Sequence, residues 1–335
     1  MNVLLGLDSR SDAEAVRLLT RLRFSGANYD LTHVIHPFPW VPSGTYYGGF
    51  PLAEATITEA DQTAIWEQED SDANAVLLAA AAHLSGAGDC QTHVRRGNPI
   101  ETLMQHADET HADLVAVDAS RQGAIRALFS GSVARGLVTG AHQSVLLARE
   151  MSHRPPRLDD AARPVRAVLA TDHSPYMDRC IERFLPFHPL GLSHLTVLTA
   201  FPEESLNNVQ SYLPNLVVSP AVAMRHDLEE RNRSLMGRLR AVFGDGTITI
   251  TAKVSGEPVE AAITGAMQDA DADLLLVGAQ GHSLLERLTL GSIAFRQAMT
   301  APYSVLVLRV SPGETAEIRT IARVAESPES VALTA

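Results

Sequence analysis

The chain has 335 residues, 45% of them hydrophobic, which is enough for two domains of ordinary size with buried cores. The net charge is −12 and the pI is about 5.5, which argues against a nucleic-acid-binding protein or one that coats acidic membranes. Cys90 and Cys180 have neither metal-ligand spacing nor a disulfide pattern, so we expect buried thiols in a reducing compartment, the cytoplasm. We expect no signal peptide and no membrane insertion, because the chain opens on a short apolar strand and contains no apolar run of spanning length.

Short apolar segments alternate with helical stretches, and the whole series occurs twice in the same order. The matching apolar segments are residues 3–8 and 167–172, 31–35 and 195–199, 93–99 and 253–258, 112–117 and 272–277, and 144–147 and 304–307. Helical spacing predicts helices at 11–23, 66–84 and 99–111 in the first half, and at 176–187, 226–243 and 258–270 in the second.

This alternation predicts an α/β protein made of right-handed βαβ units. We expect two tandem doubly wound domains, each a five-stranded, mainly parallel sheet flanked by helices. The first domain is predicted at 1–150 and the second at 165–311, with a linker at 151–164 and a flexible tail at 312–335. In such sheets ligands bind at the carboxyl ends of the strands, where the strand order reverses.

Two long segments, 36–64 and 201–224, follow the second strand of each half and contain several aromatic residues and prolines. Loops of this length are typical of lids or contact surfaces. An equally weighted alternative is that their aromatic side chains simply cover an exposed helix edge.

A glycine pattern follows the fourth strand of the second half. Gly278 and Gly281 come directly after the apolar segment 273–277, and Gly291-Ser292 precede a helical stretch at 293–299. Glycines allow a ligand to approach the backbone, and a helix start offers unpaired N–H groups at the positive end of its dipole. Together they favour a phosphate-binding loop. The alternative is a plain strand-to-loop turn followed by an ordinary helix start.

The spacing G-x2-G-x9-G-S after a late strand resembles the nucleotide loop of the universal stress protein family, and the resemblance extends over both halves. It implies an adenine-nucleotide α-hydrolase-like fold that binds ATP, with Mg²⁺ a plausible companion of the phosphates. It also implies that the domains pair through their last strands, here within one chain as a pseudo-dimer, with a homodimer of two chains as a further step. The nucleotide-binding residues that it implies are Ala170, Thr171, Asp172, Thr199, Val254, Gly278, Gln280, Gly281, Gly291, Ser292 and Ile293.

The support for these roles differs from residue to residue. The glycine geometry follows from the residues themselves, whereas the base-pocket roles of Thr199 and Val254 come only from the resemblance. Asp172 is predicted to hydrogen-bond the nucleoside, but a capping carboxylate at the next helix is a rival role that can coexist with it.

The first half departs from the pattern, because Asp118 and Arg121 occupy the positions of Gly278 and Gly281. A carboxylate beside bound phosphate would repel it by about 4 kcal/mol for a close charge pair at an effective dielectric of about 20. We therefore predict that the first half binds ATP weakly or not at all, although Gly131-Ser132 keeps the distal part of the pattern. An Asp118–Arg121 pair would occupy the cavity; the alternative is that Arg121 turns to the phosphates and rescues binding.

The sequence lacks a P-loop, a dinucleotide-binding glycine motif, a nucleophile elbow and metal-ligand spacing. His173 and His282 flank the predicted pocket, and we expect both to be solvated. The function predicted is that of an ATP-binding stress-response regulator with at most slow hydrolysis. The alternatives are a nucleotide-free interaction module of the same fold and an adenine-nucleotide enzyme with an unknown substrate.

Overall fold

The computed structural model describes residues 1–8, 13–36, 46–47, 50–51, 59–119, 127–150, 163–203, 219–244, 246–280 and 291–310. Residues 151–162 of the predicted linker 151–164 lie outside these residues, as does the whole predicted tail 312–335. So do Gly281, His282 and Arg121, most residues of the long segment 36–64, and residues 204–218 of the segment 201–224.

Helices and strands alternate in both halves, which confirms the predicted α/β class. The first half contains β1 (Asn2–Leu7), α1 (Glu14–Leu22), β2 (Ala27–Ile35), a short hairpin of β3 (Tyr46–Tyr47) and β4 (Phe50–Pro51), α2 (Glu59–Leu84), β5 (Gly88–Arg96), α3 (Pro99–Glu109), β6 (Leu114–Asp118), α4 (Ala127–Gly140) and β7 (Ser144–Ala148). The second contains β8 (Val165–Ala170), α5 (Pro175–Phe184) with a 3₁₀ turn at Leu185–Phe187, β9 (Leu192–Ala200), α6 (Pro220–Phe243), β10 (Thr249–Ser255), α7 (Val259–Asp269), β11 (Leu274–Gly278), α8 (Ser292–Thr300) and β12 (Ser304–Leu308).

Ten of these strands form one sheet in the order β10-β9-β8-β11-β12-β7-β6-β1-β2-β5. All neighbours within a half are parallel, and the two halves have the same strand order reflected about the middle. The order reverses between β8 and β11 in the second half and between β1 and β6 in the first. These reversals open the crevices in which sheets of this type bind ligands.

The two halves meet at the centre of the sheet, where β7 and β12 pair antiparallel. Leu146 lies opposite Leu306, and both side chains are fully buried. Every residue of both strands is buried, because helices cover both faces and such strands read as continuous apolar runs. One hydrophobic cluster includes buried residues from both halves.

Helix starts follow local signals. Asn98 caps α3 by accepting hydrogen bonds from the N–H groups of Ile100 and Glu101, and Pro99 occupies the first turn. Ser174 caps α5 in the same way, with Met177 N–H as donor at 3.2 Å.

Two helices, α2 and α6, begin well before the residue that the sequence predicted. α6 begins at Pro220 rather than at residue 226, because Ser219-Pro220 is a start signal that the apolar spacing did not include. α2 begins at Glu59 rather than at residue 66, and its first two turns are mostly polar and exposed where they are described. No described helix is long and apolar enough to serve as a membrane span.

Candidate functional site

The predicted site residues of the second half lie at the carboxyl edge of the sheet, around the crevice between β8 and β11. Ala170 is the last residue of β8 and Gly278 the last of β11. Thr199 is one residue before the end of β9, and Val254 one residue before the end of β10. Parallel strands therefore bring to one edge residues that are far apart in the sequence.

The turn after β8 orders the start of α5. The Thr171 hydroxyl accepts a hydrogen bond from His173 N–H at 3.0 Å, and the Asp172 carboxylate accepts one from Ser174 N–H at 3.0 Å. Asp172 thus has the turn-forming role that we weighed as its rival function. The nucleoside role of Asp172 stays a prediction.

A buried polar cluster closes the sheet edge next to this turn. The Asn232 side-chain oxygen accepts a hydrogen bond from the Thr199 hydroxyl at 2.9 Å and lies 3.0 Å from His173 Nε2. Asn232 is 1% exposed, and its Nδ2 is buried without a hydrogen-bond partner. His173 has a φ of +54°, and burial lowers the pKa of its ring below the usual 6.5.

Two expectations change at this cluster. His173 was expected to be solvated, but it is half-buried and hydrogen-bonded, because α6 packs over the end of β9. Asn232 was missed entirely. The available signal was a polar residue on the buried stripe that continues with Leu235, Leu239 and Phe243.

An ion pair covers the end of β10. Arg225 donates to the backbone oxygen of Val254 at 3.4 Å, pairs with the Glu203 carboxylate and lies 5.6 Å from the ring centroid of Phe201. The side chains of Arg225 and Glu203 are about 40% exposed, at 40% and 38%. This pair borders the predicted base pocket on the β10 side.

Backbone hydrogen bonds bring the start of α8 to the end of β11. Ala279 N–H donates to Leu308 O at 2.9 Å, and Gly291 N–H donates to Ala279 O at 2.7 Å. Ala279 and Gly291 are therefore in direct contact. Gly291 is the N-cap of α8 and provides no side-chain cap, and Ser292 and Ile293 form its first turn. Gln280 is half-buried beside them.

Gly278 has little room for a side chain. A Cβ atom at this position would lie 2.9 Å from the sulfur of Met177, on the helix that follows β8. The Met177 side chain therefore occupies the place that a side chain at position 278 would take, and would have to shift if one were added.

The first half uses the equivalent space differently. The Asp118 carboxylate accepts hydrogen bonds from Ala15 N–H at 2.7 Å and Glu14 N–H at 3.2 Å. It thereby caps α1, whose own N-cap residue, Ala13, provides no side-chain bond. Burial raises the pKa of Glu14 to about 7, and the neighbouring Asp118 carboxylate adds to that rise.

The distal part of the pattern also differs between the halves. Gly131 and Ser132 lie inside α4, which begins at Ala127, whereas Gly291 immediately precedes α8. Helix N–H groups beyond the first turn are used within the helix. The Gly131-Ser132 amides consequently do not form a helix start.

The universal stress protein family model matches residues 1–149 and matches again at residues 166–309. The chain belongs to the universal stress protein family. Because the match occurs twice, this universal stress protein has the tandem two-domain form. The sequence-based recognition and the fold class are therefore both confirmed.

The chain is also similar to solved structures. A universal stress protein from Archaeoglobus fulgidus DSM 4304 is 15% identical, with a TM-score of 0.59 over 92% of this chain and 98% of that chain. A putative universal stress protein from Pseudomonas aeruginosa UCBPP-PA14 is 14% identical, with a TM-score of 0.46 over 96% of this chain and 97% of that chain. A search of curated proteins gave no match to the sequence.

Proposed function

We propose that this universal stress protein binds ATP in its second half and acts as a stress-response regulator rather than as a fast enzyme. The observation that carries the proposal is the contrast between the two crevices. Gly278 and a helix start whose N-cap residue, Gly291, has no side chain border one of them, while a carboxylate and an uninterrupted helix border the other. Backbone N–H groups and a helix dipole favour a polyphosphate at the first and not at the second.

The residues present fit ATP in chemical type. The N–H groups of Ser292 and Ile293 and the Ser292 hydroxyl suit phosphate oxygens, with Gln280 and the glycines at 278, 281 and 291 giving the backbone close access. A Cβ atom at position 278 would lie only 2.9 Å from the Met177 sulfur, which supports a requirement for glycine where the backbone borders the crevice.

The nucleoside end is proposed at the ends of β8, β9 and β10. Asp172 is a suitable acceptor for a ribose hydroxyl, while Ala170 and Thr171 border the crevice beside it. Thr199 and Val254 are proposed to line the base pocket.

Mg²⁺ is proposed to enter with the phosphates. Among the residues that the structure describes, no group of three or more His, Cys, Asp or Glu side chains could hold a metal ion. Phosphate oxygens and water are therefore its proposed ligands.

A regulatory role is supported by the state of the reactive side chains near the crevice. His173 is tied into the buried cluster with Asn232 and Thr199. Burial raises the pKa of the Cys180 thiol to about 12, which keeps it protonated and unreactive.

The proposal assigns different roles to the two halves. Residues 1–150 form the domain with the degenerate loop and residues 165–311 the domain with the intact loop, joined at 151–164 and followed by the tail 312–335. The antiparallel pairing of β7 with β12 supports a pseudo-dimer within one chain, with association of two chains as a further step. We place this protein in the cytoplasm on the evidence of its unpaired, partly or fully buried cysteines.

The test is nucleotide release from the purified, heat-denatured chain, identified by chromatography, beside a thermal shift titration with ATP. Gly291→Val is expected to abolish the ATP-dependent shift, because a β-branched side chain fills the approach to the start of α8. Gly131→Val is the matched control in the degenerate half and is expected to leave the shift intact. A shift that survives Gly291→Val would contradict the proposed site.

The interaction module is the second candidate, and it is favoured by exposed apolar side chains. Trp66 is 56% exposed and Ile65 48% exposed on α2, and Val222 is 60% exposed on α6. If no adenine nucleotide is released or causes a shift, this candidate replaces the first.

A further inference from the structure

Two arginines cross the centre of the sheet in a mirrored arrangement. Arg149 directly follows β7, and Arg309 directly follows β12. Since the two strands run antiparallel, each arginine emerges beside the other half. Arg149 N–H donates to the Ser304 hydroxyl and Arg309 N–H to the Ser144 hydroxyl, each at 3.1 Å.

The Arg149 side chain closes the end of α8. Its guanidinium donates to Ala298 O and, at 3.4 Å, to Tyr303 O, and the residue is 5% exposed. Ala298 lies in the last turn of α8, where carbonyl groups have no partner within the helix and a cation is favoured by the dipole. A residue of the first half therefore satisfies the C-terminus of a helix of the second half.

A second contact between the halves also involves α8. The guanidinium of Arg135, on α4, lies 5.4 Å from the ring centroid of Phe295, on α8. α8 is nine residues long, so a fixed C-terminus also limits the movement of its first turn.

We infer that Arg149 is a positioning residue for the nucleotide, although it belongs to the half that does not bind it. This inference rests on the proposed function, because it assigns the phosphate to the start of α8. The guanidinium holds the C-terminus of that helix, and the N–H groups of Ser292 and Ile293 meet the ligand at the other end. The first half thus serves as a built-in scaffold for the site of the second.

Arg309 provides the matched control. Its guanidinium donates to Val138 O in the last turn of α4, the helix of the degenerate half. Its removal leaves the same kind of partnerless carbonyl, at a helix whose interior contains Gly131 and Ser132. Arg309→Met is therefore expected to loosen α4 and to leave nucleotide affinity unchanged.

The experiment compares the full-length wild type with Arg149→Met, Arg149→Lys and Arg309→Met. Affinity for MgATP is measured by titration calorimetry, and backbone hydrogen exchange is followed in peptides covering α8 and α4. Arg149→Met is expected to weaken affinity about tenfold, in the range that residues without ligand contact exert on a coupled site, and to speed exchange in α8. Arg149→Lys keeps the charge but not the planar guanidinium, so its affinity and its exchange rate in α8 are expected to lie between those of the wild type and Arg149→Met.

The outcomes separate the inference from the proposed function. If Arg149→Met folds and binds MgATP as the wild type does, or if Arg309→Met weakens binding equally, the inference is wrong. If Arg149→Met does not fold, Arg149→Lys decides in the same way. If the wild type itself binds no nucleotide, the proposed function fails. In that case hydrogen exchange still tests the positioning role: equal exchange rates in α8 of the wild type and of Arg149→Lys would overturn it.

Discussion

At the scale of single residues, the difference between the halves depends on what stands at the end of the fourth strand. Gly278 has no side chain, and a Cβ atom there would crowd Met177, whereas the Asp118 carboxylate reaches the start of α1. The same topological position therefore holds bare backbone in one half and a capping carboxylate in the other, and under the proposed function the bare backbone admits a phosphate. The sequence predicted the exclusion of phosphate by Asp118, and the structure adds the capping contact.

Asp118→Ala is expected to lower the free energy of unfolding by roughly 1–2 kcal/mol, because α1 loses the acceptor for two N–H groups. Asp118→Asn, which keeps an acceptor oxygen, is expected to lose less. Urea denaturation followed by circular dichroism measures both. Equal stability of Asp118→Ala and the wild type would show that the cap contributes nothing.

Buried histidines predict how stability depends on pH. Burial lowers the pKa of both His106 and His173 from 6.5, so the unfolded chain binds protons more readily than the folded one. The stability that the two neutral imidazoles contribute is therefore fully present above about pH 6.5. This contribution is lost as the pH falls through that value towards the lowered pKa values. His106 also bonds the Thr32 hydroxyl through Nδ1 at 2.9 Å.

The variants for this prediction keep the hydrogen bonds and remove the titration. Asn at position 106 places its amide near the former Nδ1, and Gln at position 173 places its amide near the former Nε2. The double variant His106→Asn/His173→Gln is expected to have a flatter dependence of Tm on pH between 7 and 5 than the wild type. His226→Gln, at a side chain 71% exposed, is the control. An unchanged slope in the double variant would assign the acid sensitivity to other groups.

At the scale of elements, the helix starts decide what each crevice can bind. α8 starts at its glycine-serine pair, Gly291-Ser292, whereas α4 starts at Ala127, before its own pair, Gly131-Ser132. α5 starts at a serine cap one residue after His173, so the turn that contains Asp172 depends on that cap. A weakened helix start is therefore expected to affect the proposed site only where the helix borders it.

Ser174→Ala and Asn98→Ala test this in a matched way, since each removes the side-chain cap of one helix. Both are expected to cost about 1 kcal/mol of stability. Only Ser174→Ala is expected to weaken ATP binding, because α3 borders neither crevice edge of the second half. Thermal unfolding gives the first quantity and calorimetric titration the second. Equal effects of the two variants on affinity would sever the link between the α5 cap and the site.

Most elements could be predicted from the sequence, since apolar period and flanking glycines or prolines are local signals. The start of α2 could not, because residues 59–65 carry no apolar stripe. Asn232 could not be assigned to the site either, because its partners Thr199 and His173 come from other elements. The different positions of Gly131-Ser132 and Gly291-Ser292 within their helices could not be predicted, because the two dipeptides are identical. Only the observed helix boundaries distinguish a pair inside a helix from a pair at a helix start.

At the scale of the whole molecule, two copies of one fold share a single ten-stranded sheet. The central pairing of β7 with β12 buries the last strand of each half, and Arg149 and Arg309 extend the contact to the opposite helices. The first half thus contributes to the shared sheet, while a carboxylate at its crevice caps α1. Under the proposed function, a chain of this form has one nucleotide site and not two.

The most direct test of this account is the number of ATP molecules bound per chain, measured by equilibrium dialysis on the wild type, Gly278→Asp and Asp118→Asn. We predict one ATP per wild-type chain, none for Gly278→Asp, and one for Asp118→Asn. Two ATP molecules per wild-type chain, or binding that survives Gly278→Asp and disappears in Asp118→Asn, would contradict the account.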